Sequence, residues 1–430
     1  MLVQIQRIIT YLKSHPLRFK ALLAVFWKLS PVWMLGVLGA LLAYKYYQNK
    51  RIRVFCKNTK RNQEILSVMQ PRIKEYSPTV YLPLGVFKCA VVAATKMSTF
   101  HDYMRMEVTL SDGELIPLDW FPRNYEELSP DIPIVFFVPG IFGTSLEGYS
   151  IECCRMFYKS LGWRTFVFNR RSFLTQLRGD KVISYSHFQD WREILTLLKN
   201  KFPQAPIFMV GVSMGAVNIQ RYLGEFAHDP MVVAAVTISS PWDTSKTSDA
   251  VNADPIIAKA MHAELMFMFK SQLHQKQFVN LCQQKGIDIQ KVLQSKSWRE
   301  FDWLFSSVET GFTNTEDYYG WLSSHLVVDK ISVPVLSLNS EDDPVVPMSA
   351  IPFERIKRNP NVIQLLVAGA GHIEYYHGMN LEFWAYALGI DFLQNIRRVM
   401  REYPLNDVHQ SIETKYSVND LQALEFTKRA

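Results

Sequence analysis

Ile207-Phe208-Met209-Val210-Gly211-Val212-Ser213-Met214-Gly215-Ala216-Val217 is the stretch on which the fold turns. Its first half is a short apolar run of strand type, and residues 214–226 carry a helical pattern. Gly-x-Ser-x-Gly stands at the junction, at positions 211–215. In a sharp turn from strand to helix the serine is held in a strained conformation that exposes its hydroxyl. The flanking glycines are required because side chains there would collide with the neighbouring elements. The helix N-terminus behind the serine favours negative charge developing beside it. Alone, the pentapeptide is weak, arising by chance in roughly one chain in seven of this length at average Gly and Ser usage. Its place between strand and helix makes Ser213 the candidate nucleophile.

A serine hydroxyl at its free pKa is a poor nucleophile and needs a base oriented by a carboxylate. On such an elbow the chain order is serine, then Asp or Glu, then histidine. Downstream, the strand pattern at 333–339 ends in the acidic turn Ser340-Glu341-Asp342-Asp343-Pro344, and the pattern at 362–367 is followed by Ala370-Gly371-His372. Both fall at strand ends, where open α/β sheets place their sites. Of ten histidines, His372 is the only one just beyond a late strand, with His377 the alternative base. Asp342 and Asp343 both qualify as the carboxylate, and neighbours at a strand end point different ways. The pattern at 132–138 runs into Pro139-Gly140-Ile141-Phe142-Gly143-Thr144-Ser145, where glycines let backbone amides turn inward. The amide of Met214, together with that of Ile141, is the expected oxyanion hole.

Eight strand patterns lie at 106–111, 115–121, 132–139, 165–169, 207–212, 233–239, 333–339 and 362–367. Asp112-Gly113 between the first two marks a hairpin. The later ones are apolar at nearly every position, as parallel strands buried on both faces are. With helical patterns between them, such as 187–201 and 214–226, they predict an α/β fold. The expected architecture is an eight-stranded, mostly parallel, doubly wound sheet with helices on both faces. Residues 242–330 are too many for an ordinary crossover and read as a helical cap over the sheet's carboxyl edge. Asp254-Pro255 supplies an N-cap and first-turn proline for a helix carrying Met261, Met266, Phe267, Met268 and Phe269. Some of these must pack the cap. Met261, Met266 and Phe267 are the candidate substrate-binding residues, as adaptable apolar walls for acyl chains.

Over about residues 103–396 the chain resembles the α/β-hydrolase-domain-containing family, in the branch numbered one to three. The likeness rests on Asp112-Gly113, Leu118-Asp119-Trp120, Pro139-Gly140, Phe168-Asn169-Arg170, Phe202-Pro203-Gln204-Ala205-Pro206, Asn339-Ser340-Glu341-Asp342-Asp343-Pro344 and Gly371-His372-Ile373. It implies the α/β-hydrolase fold and a triad of Ser213, Asp343 and His372, with Asp343 standing four residues before Pro347 as the acid does in related hydrolases. It also implies one N-terminal membrane segment and action on acylglycerols, phospholipids or small esters. Ser172, Ala216 and Ala370 stand where the family has glycine, and Glu374 where it has a small residue. Two other classes are compatible with the motifs: an idle hydrolase fold used for binding, and a lipid acyltransferase. Related acyltransferases resemble one another in a His-x-x-x-x-Asp motif, and His377 occupies the place five after His372.

The chain has 430 residues, 48% hydrophobic and 20% charged, enough for one large domain and an appendage. Its net charge of +7 is modest, and with no basic–aromatic run or zinc-finger spacing a nucleic-acid partner is not expected. No metal motif, phosphate loop or nicotinamide fingerprint occurs, so no cofactor is expected. Cys56, Cys89, Cys153, Cys154 and Cys282 are scattered and odd in number, reading as thiols. Leu2, Ile5, Ile8, Ile9 and Leu12 suggest an amphipathic helix, and residues 21–47 are apolar except for Lys28, Ser30 and Lys45, with Pro31 between two halves. The uninterrupted part is shorter than the roughly 20 residues of an ideal spanning helix. Trp27 and Trp33 on one side, and Tyr44, Tyr46 and Tyr47 on the other, sit like interfacial belts. A membrane anchor is expected, spanning rather than lying in the interface. Basic residues outnumber those before it on its C-terminal side, which favours a cytosolic catalytic domain on an endomembrane such as the endoplasmic reticulum. The expected division is 1–60 anchor and basic flanks, 61–403 catalytic domain, and 404–430 polar tail. The expected partners are a lipid or small ester substrate and the bilayer.

Overall fold

The computed structural model describes residues 52–79, 102–179, 181, 188–378 and 382–404, together with Gly36 and Gly39. Nine strands form the main sheet: β1 (Ile52–Cys56), β2 (Met104–Thr109), β3 (Leu115–Phe121), β4 (Ile134–Val138), β5 (Arg164–Phe168), β6 (Ile207–Val212), β7 (Ala234–Ile238), β8 (Val335–Ser340) and β9 (Val362–Val367). Their order is β1-β9-β8-β7-β6-β4-β5-β3-β2. β5, β4, β6, β7, β8 and β9 are mutually parallel neighbours. β3 joins β5 antiparallel and forms the hairpin with β2 through Asp112-Gly113. Every residue of the six parallel strands is buried, as their mostly apolar sequences lead one to expect.

All eight expected strands are present, and the sheet has a ninth. β1 pairs antiparallel with β9, from Ile52 opposite Val367 to Cys56 opposite Ile363. The expected boundary at residue 60 therefore falls too late, because Lys50–Ala430 forms one compact unit. Ile52-Arg53-Val54-Phe55-Cys56 is an edge strand whose second face mixes Arg53 with Phe55, which packs on Phe353. Among the lysines and arginines around it, it read as the basic flank of an anchor.

The main helices are α1 (Lys60–Glu75), α2 (Gly148–Leu161), α3 (Phe188–Lys201), α4 (Met214–Glu225), α5 (Thr244–Ala253), α6 (Pro255–Gln272), α7 (Lys276–Gln284), α8 (Thr315–Leu322) and α9 (Trp384–Glu402). Strand alternation splits the core into two layers. Val135, Phe137, Val210, Val212, Val236 and Ile238 face α1, α2 and α9. Ile134, Phe136, Val138 and Met209 face α3 and α4. A third cluster, built on α6, α7 and α8, reaches the sheet's carboxyl edge at Ile141, Met214 and Val217. This is the cap expected at 242–330. Asp254 caps α6 by accepting from the amides of Ile256 and Ile257, with Pro255 in the first turn. Among the described residues no helix is long and apolar enough to cross a membrane. Residues 21–47, apart from Gly36 and Gly39, and the tail from 405 onward lie outside the described residues.

Candidate active site

β6 ends at Val212 and α4 begins at Met214, leaving Ser213 alone between them at φ 52° and ψ −121°. A non-glycine residue there costs about 1–3 kcal/mol, so the surroundings must hold it. The Ser213 amide donates to the Ile238 carbonyl at 2.8 Å, and its own carbonyl accepts from the amides of Ala216 and Val217 at 2.9 and 3.2 Å. The glycines on either side are forced by close approach. A Cβ on Gly211 would lie 2.6 Å from Ile219 Cδ1, and one on Gly215 2.1 Å from the Val138 carbonyl oxygen.

His372 stands over this serine with Nε2 2.8 Å from Ser213 Oγ. Its Nδ1 is 2.8 Å from Oδ2 of Asp343, whose side chain is fully buried. The other oxygen of Asp343 accepts from the amides of Val345 and Val346, which fixes the carboxylate's orientation. Asp342 turns the other way: its carboxylate accepts from the Gly369 amide at 2.6 Å and so ties the acidic turn to the end of β9. His377, the alternative base, accepts from the Ser77 amide at Nδ1 and pairs with Glu382 in a two-residue ladder. Burial disfavours the charged form of His372. The negative charge and hydrogen bond of Asp343, with further negative charge from Glu374, outweigh that and hold its pKa above the ordinary 6.5. Ser239, missed in the sequence and itself at φ 52°, donates its hydroxyl to the His372 carbonyl and pairs with Tyr375.

Ile141 and Met214 both border the space above Ser213. As the first residue of α4, Met214 has an amide with no intrahelical partner. The loop carrying Ile141 is held from behind by the buried Arg170. Its guanidinium donates to the carbonyls of Gly140 at 2.7 Å and Pro139 at 2.8 Å. These bonds fix both peptide planes of the loop, and the Gly140 amide donates to the Tyr149 hydroxyl at 3.2 Å. Asn169 extends the brace: Oδ1 accepts from the Ser145 amide, and Nδ2 donates to Asp119. Asp119 also accepts from the Ser145 hydroxyl and from Nε and Nη2 of Arg105. Leu118-Asp119-Trp120 and Phe168-Asn169-Arg170 thus meet behind one loop, a role their sequence spacing did not disclose. Ser172 lies at φ 63°, which accounts for the glycine that the resembled family has there.

A cavity of about 710 Å³ opens above Ser213 and His372, roofed by α6 and α8. Met261 and Phe267 line it, with Ile257, Met268, Phe142 and Phe173. Phe267 is 78% exposed and forms the rim. Met266 does not line the cavity. It is 8% exposed in the cap's own core, where the Ser295 hydroxyl points at its sulfur. At about 100° per residue, positions 261, 264 and 268 fall on one side of the helix and 266 lies nearly opposite them. Among the described residues no group of three or more His, Cys, Asp or Glu is placed to hold a metal ion.

Comparison with known proteins is consistent with this architecture. Residues 133–378, which run from β4 past His372, match the model of the α/β hydrolase fold family. The chain is 33% identical over 283 residues to Phospholipase ABHD3 of Bos taurus, covering 64% of this chain and 67% of that protein. It is 24% identical over 281 residues to Monoacylglycerol lipase of Saccharomyces cerevisiae, covering 61% of each. A solved esterase of Pyrococcus furiosus aligns over 70% of this chain and 92% of that one, at 17% identity and a TM-score of 0.41. The match embraces the elbow, the acidic turn, the histidine loop and the sheet that brings them together, and by it the chain belongs to the α/β hydrolase fold family.

Proposed function

We propose that the chain is a serine ester hydrolase working through an acyl-enzyme, and that its substrates are acyl esters of membrane lipids such as acylglycerols or phospholipids. The observation that carries this reading is the relay in which one imidazole bonds Ser213 at Nε2 and Asp343 at Nδ1, on the floor of an apolar cavity. Neutral His372 takes the proton from Ser213 Oγ as Oγ bonds the ester carbonyl carbon. The carbonyl oxygen becomes an oxyanion facing the amides of Met214 and Ile141. Collapse breaks the bond to the alcohol oxygen, which leaves with the proton from Nε2. Water then gives a proton to Nε2, attacks the acyl carbon, and releases the acid as Ser213 regains its proton. Asp343 keeps the imidazole in the needed tautomer and stabilises its charged form.

The similarity to a phospholipase and a monoacylglycerol lipase supports lipid esters as the substrate class. So does the apolar wall made by Met261, Met268, Phe142 and Phe173. The stretch at 21–47 supports attachment to a bilayer, spanning it once with the catalytic domain on the cytosolic side of an endomembrane. The deciding test is labelling by a reactive fluorophosphonate together with esterase assays. Wild type should label, and Ser213→Ala should lose the label and on the order of 10⁴-fold or more in turnover. Persistent labelling or near-full activity in the alanine variant would overturn the assignment.

A further inference from the structure

The cavity is apolar, but its charged lining is of one sign. Glu147, Glu264, Asp302 and Glu374 border it, and among the described residues no Lys or Arg does. Three of the four carboxylates have bonded roles inside the protein. Glu147 accepts from the amide and hydroxyl of Thr144, although burial still holds its pKa above the ordinary carboxylate value. Asp302 accepts from the hydroxyls of Ser306 and Tyr319. Glu374 accepts from the Ile373 amide and adds negative charge at His372. Glu264 is different: among the described residues no donor is bonded to it, and it stands on α6, three residues from Met261 and from Phe267. Its carboxylate is an exposed polar group on the cap helix at the border of the cavity.

We infer that this acidic wall selects the alcohol half of the ester. The chain cleaves acyl esters of uncharged alcohols, glycerol above all, in preference to esters whose leaving group carries a phosphate, and Glu264 sets that preference. This inference rests on the reading of Ser213 as the nucleophile. The chemistry is direct. A glycerol leaving group brings hydroxyl donors, which a carboxylate accepts. A phosphate brings only acceptors and a like charge, and finds no guanidinium or ammonium among the described lining residues. At the separations found within one cavity, each such carboxylate should disfavour a phosphate on the order of tenfold. The apolar wall treats the acyl chain alike in both substrates, so the difference falls on the headgroup.

The test compares a monoacylglycerol with the lysophosphatidic acid of the same acyl chain, in nonionic detergent micelles, using full-length protein. Wild type should favour the monoacylglycerol in kcat/KM by tenfold or more. Glu264→Gln should narrow the ratio and Glu264→Lys should narrow it further or invert it. Equal rates on the two esters, or a ratio left unchanged by Glu264→Lys, would overturn the proposal. Fluorophosphonate labelling, which needs no lipid, shows that each variant is folded and reads the parent assignment separately. Protein that labels at Ser213 but cleaves neither ester overturns the headgroup selection alone. Protein that does not label overturns both.

Discussion

His372 is held at both ring nitrogens, and the two contacts act on different properties. The Ser213 contact needs the neutral ring, while Asp343 and Glu374 favour the charged one. Because the net effect raises the pKa above 6.5, the acid limb of the kcat/KM profile should lie above pH 6.5, with activity lost as pH falls through it. Glu374→Gln removes one contribution that raises the pKa and leaves burial, which lowers it. The limb should therefore move toward lower pH, and a shift to higher pH would contradict the electrostatics. Between the adjacent acids, Asp343→Asn should cost on the order of 10⁴-fold in turnover, since the amide favours the wrong imidazole tautomer. Asp342→Asn, which loosens only the bond to the Gly369 amide, should cost far less. Assaying the two variants side by side checks this. Ser213 and His372 were legible in the sequence because each is announced locally, by an elbow and by a strand end. The Asp342–Asp343 choice was not local, and it needed the resemblance. Arg170, Ser239 and Asp119 act through partners 30, 133 and 26 residues away, separations that leave no pattern in a sequence window.

At the scale of the element, α6 shows how helical geometry sorts residues of like chemistry into different roles. Met261, Met266, Phe267 and Met268 look interchangeable as a string of large apolar side chains. The helix sends Met261 and Met268 to the cavity, Phe267 to its rim and Met266 into the cap core. Met266→Ala should therefore lower stability by about 2–5 kcal/mol, as deletion of a buried side chain does, and leave the acyl-length profile unchanged. Met261→Ala and Phe267→Ala should do the reverse, altering the profile with little change in Tm. In wild type each added methylene that is buried should contribute up to about 0.8 kcal/mol, until the 710 Å³ are filled. Thermal melts and kcat/KM across an acyl series from acetyl upward measure both quantities. A series that peaks at acetyl would remove the cavity wall from substrate recognition. The α6 start was readable from Asp254-Pro255, whereas which face met the cavity was not, because both faces are apolar.

For the whole molecule, the decisive feature is that the segment leading from the apolar stretch into the domain is itself a strand of the sheet. Ile52 and Val54 on β1 are each 1% exposed. Arg53 pairs with Glu341 at 2.6 Å, directly beside the Asp342–Asp343 turn. Just after the strand, Arg61 on α1 donates to Asn361 at 2.8 Å. A chain cut at residue 60 would lose the expected anchor and β1 together. Losing the burial of two core aliphatics costs about 1.5–3 kcal/mol each, a large part of a typical domain's 5–15 kcal/mol. It also leaves β9 as an uncovered apolar edge, open to pairing with other chains. A chain beginning at residue 51 keeps the ladder and removes the apolar stretch together with the residues that precede it. The full-length protein should resist alkaline carbonate extraction. The chain from 51 should be largely released while still labelling with fluorophosphonate, and the chain from 60 should melt several degrees lower and aggregate. Extraction, labelling and thermal melts on the three proteins separate attachment from folding. Equal melting of the two shortened chains would mean that β1 contributes nothing to the sheet's stability. Full-length protein found in the soluble fraction would remove the anchor.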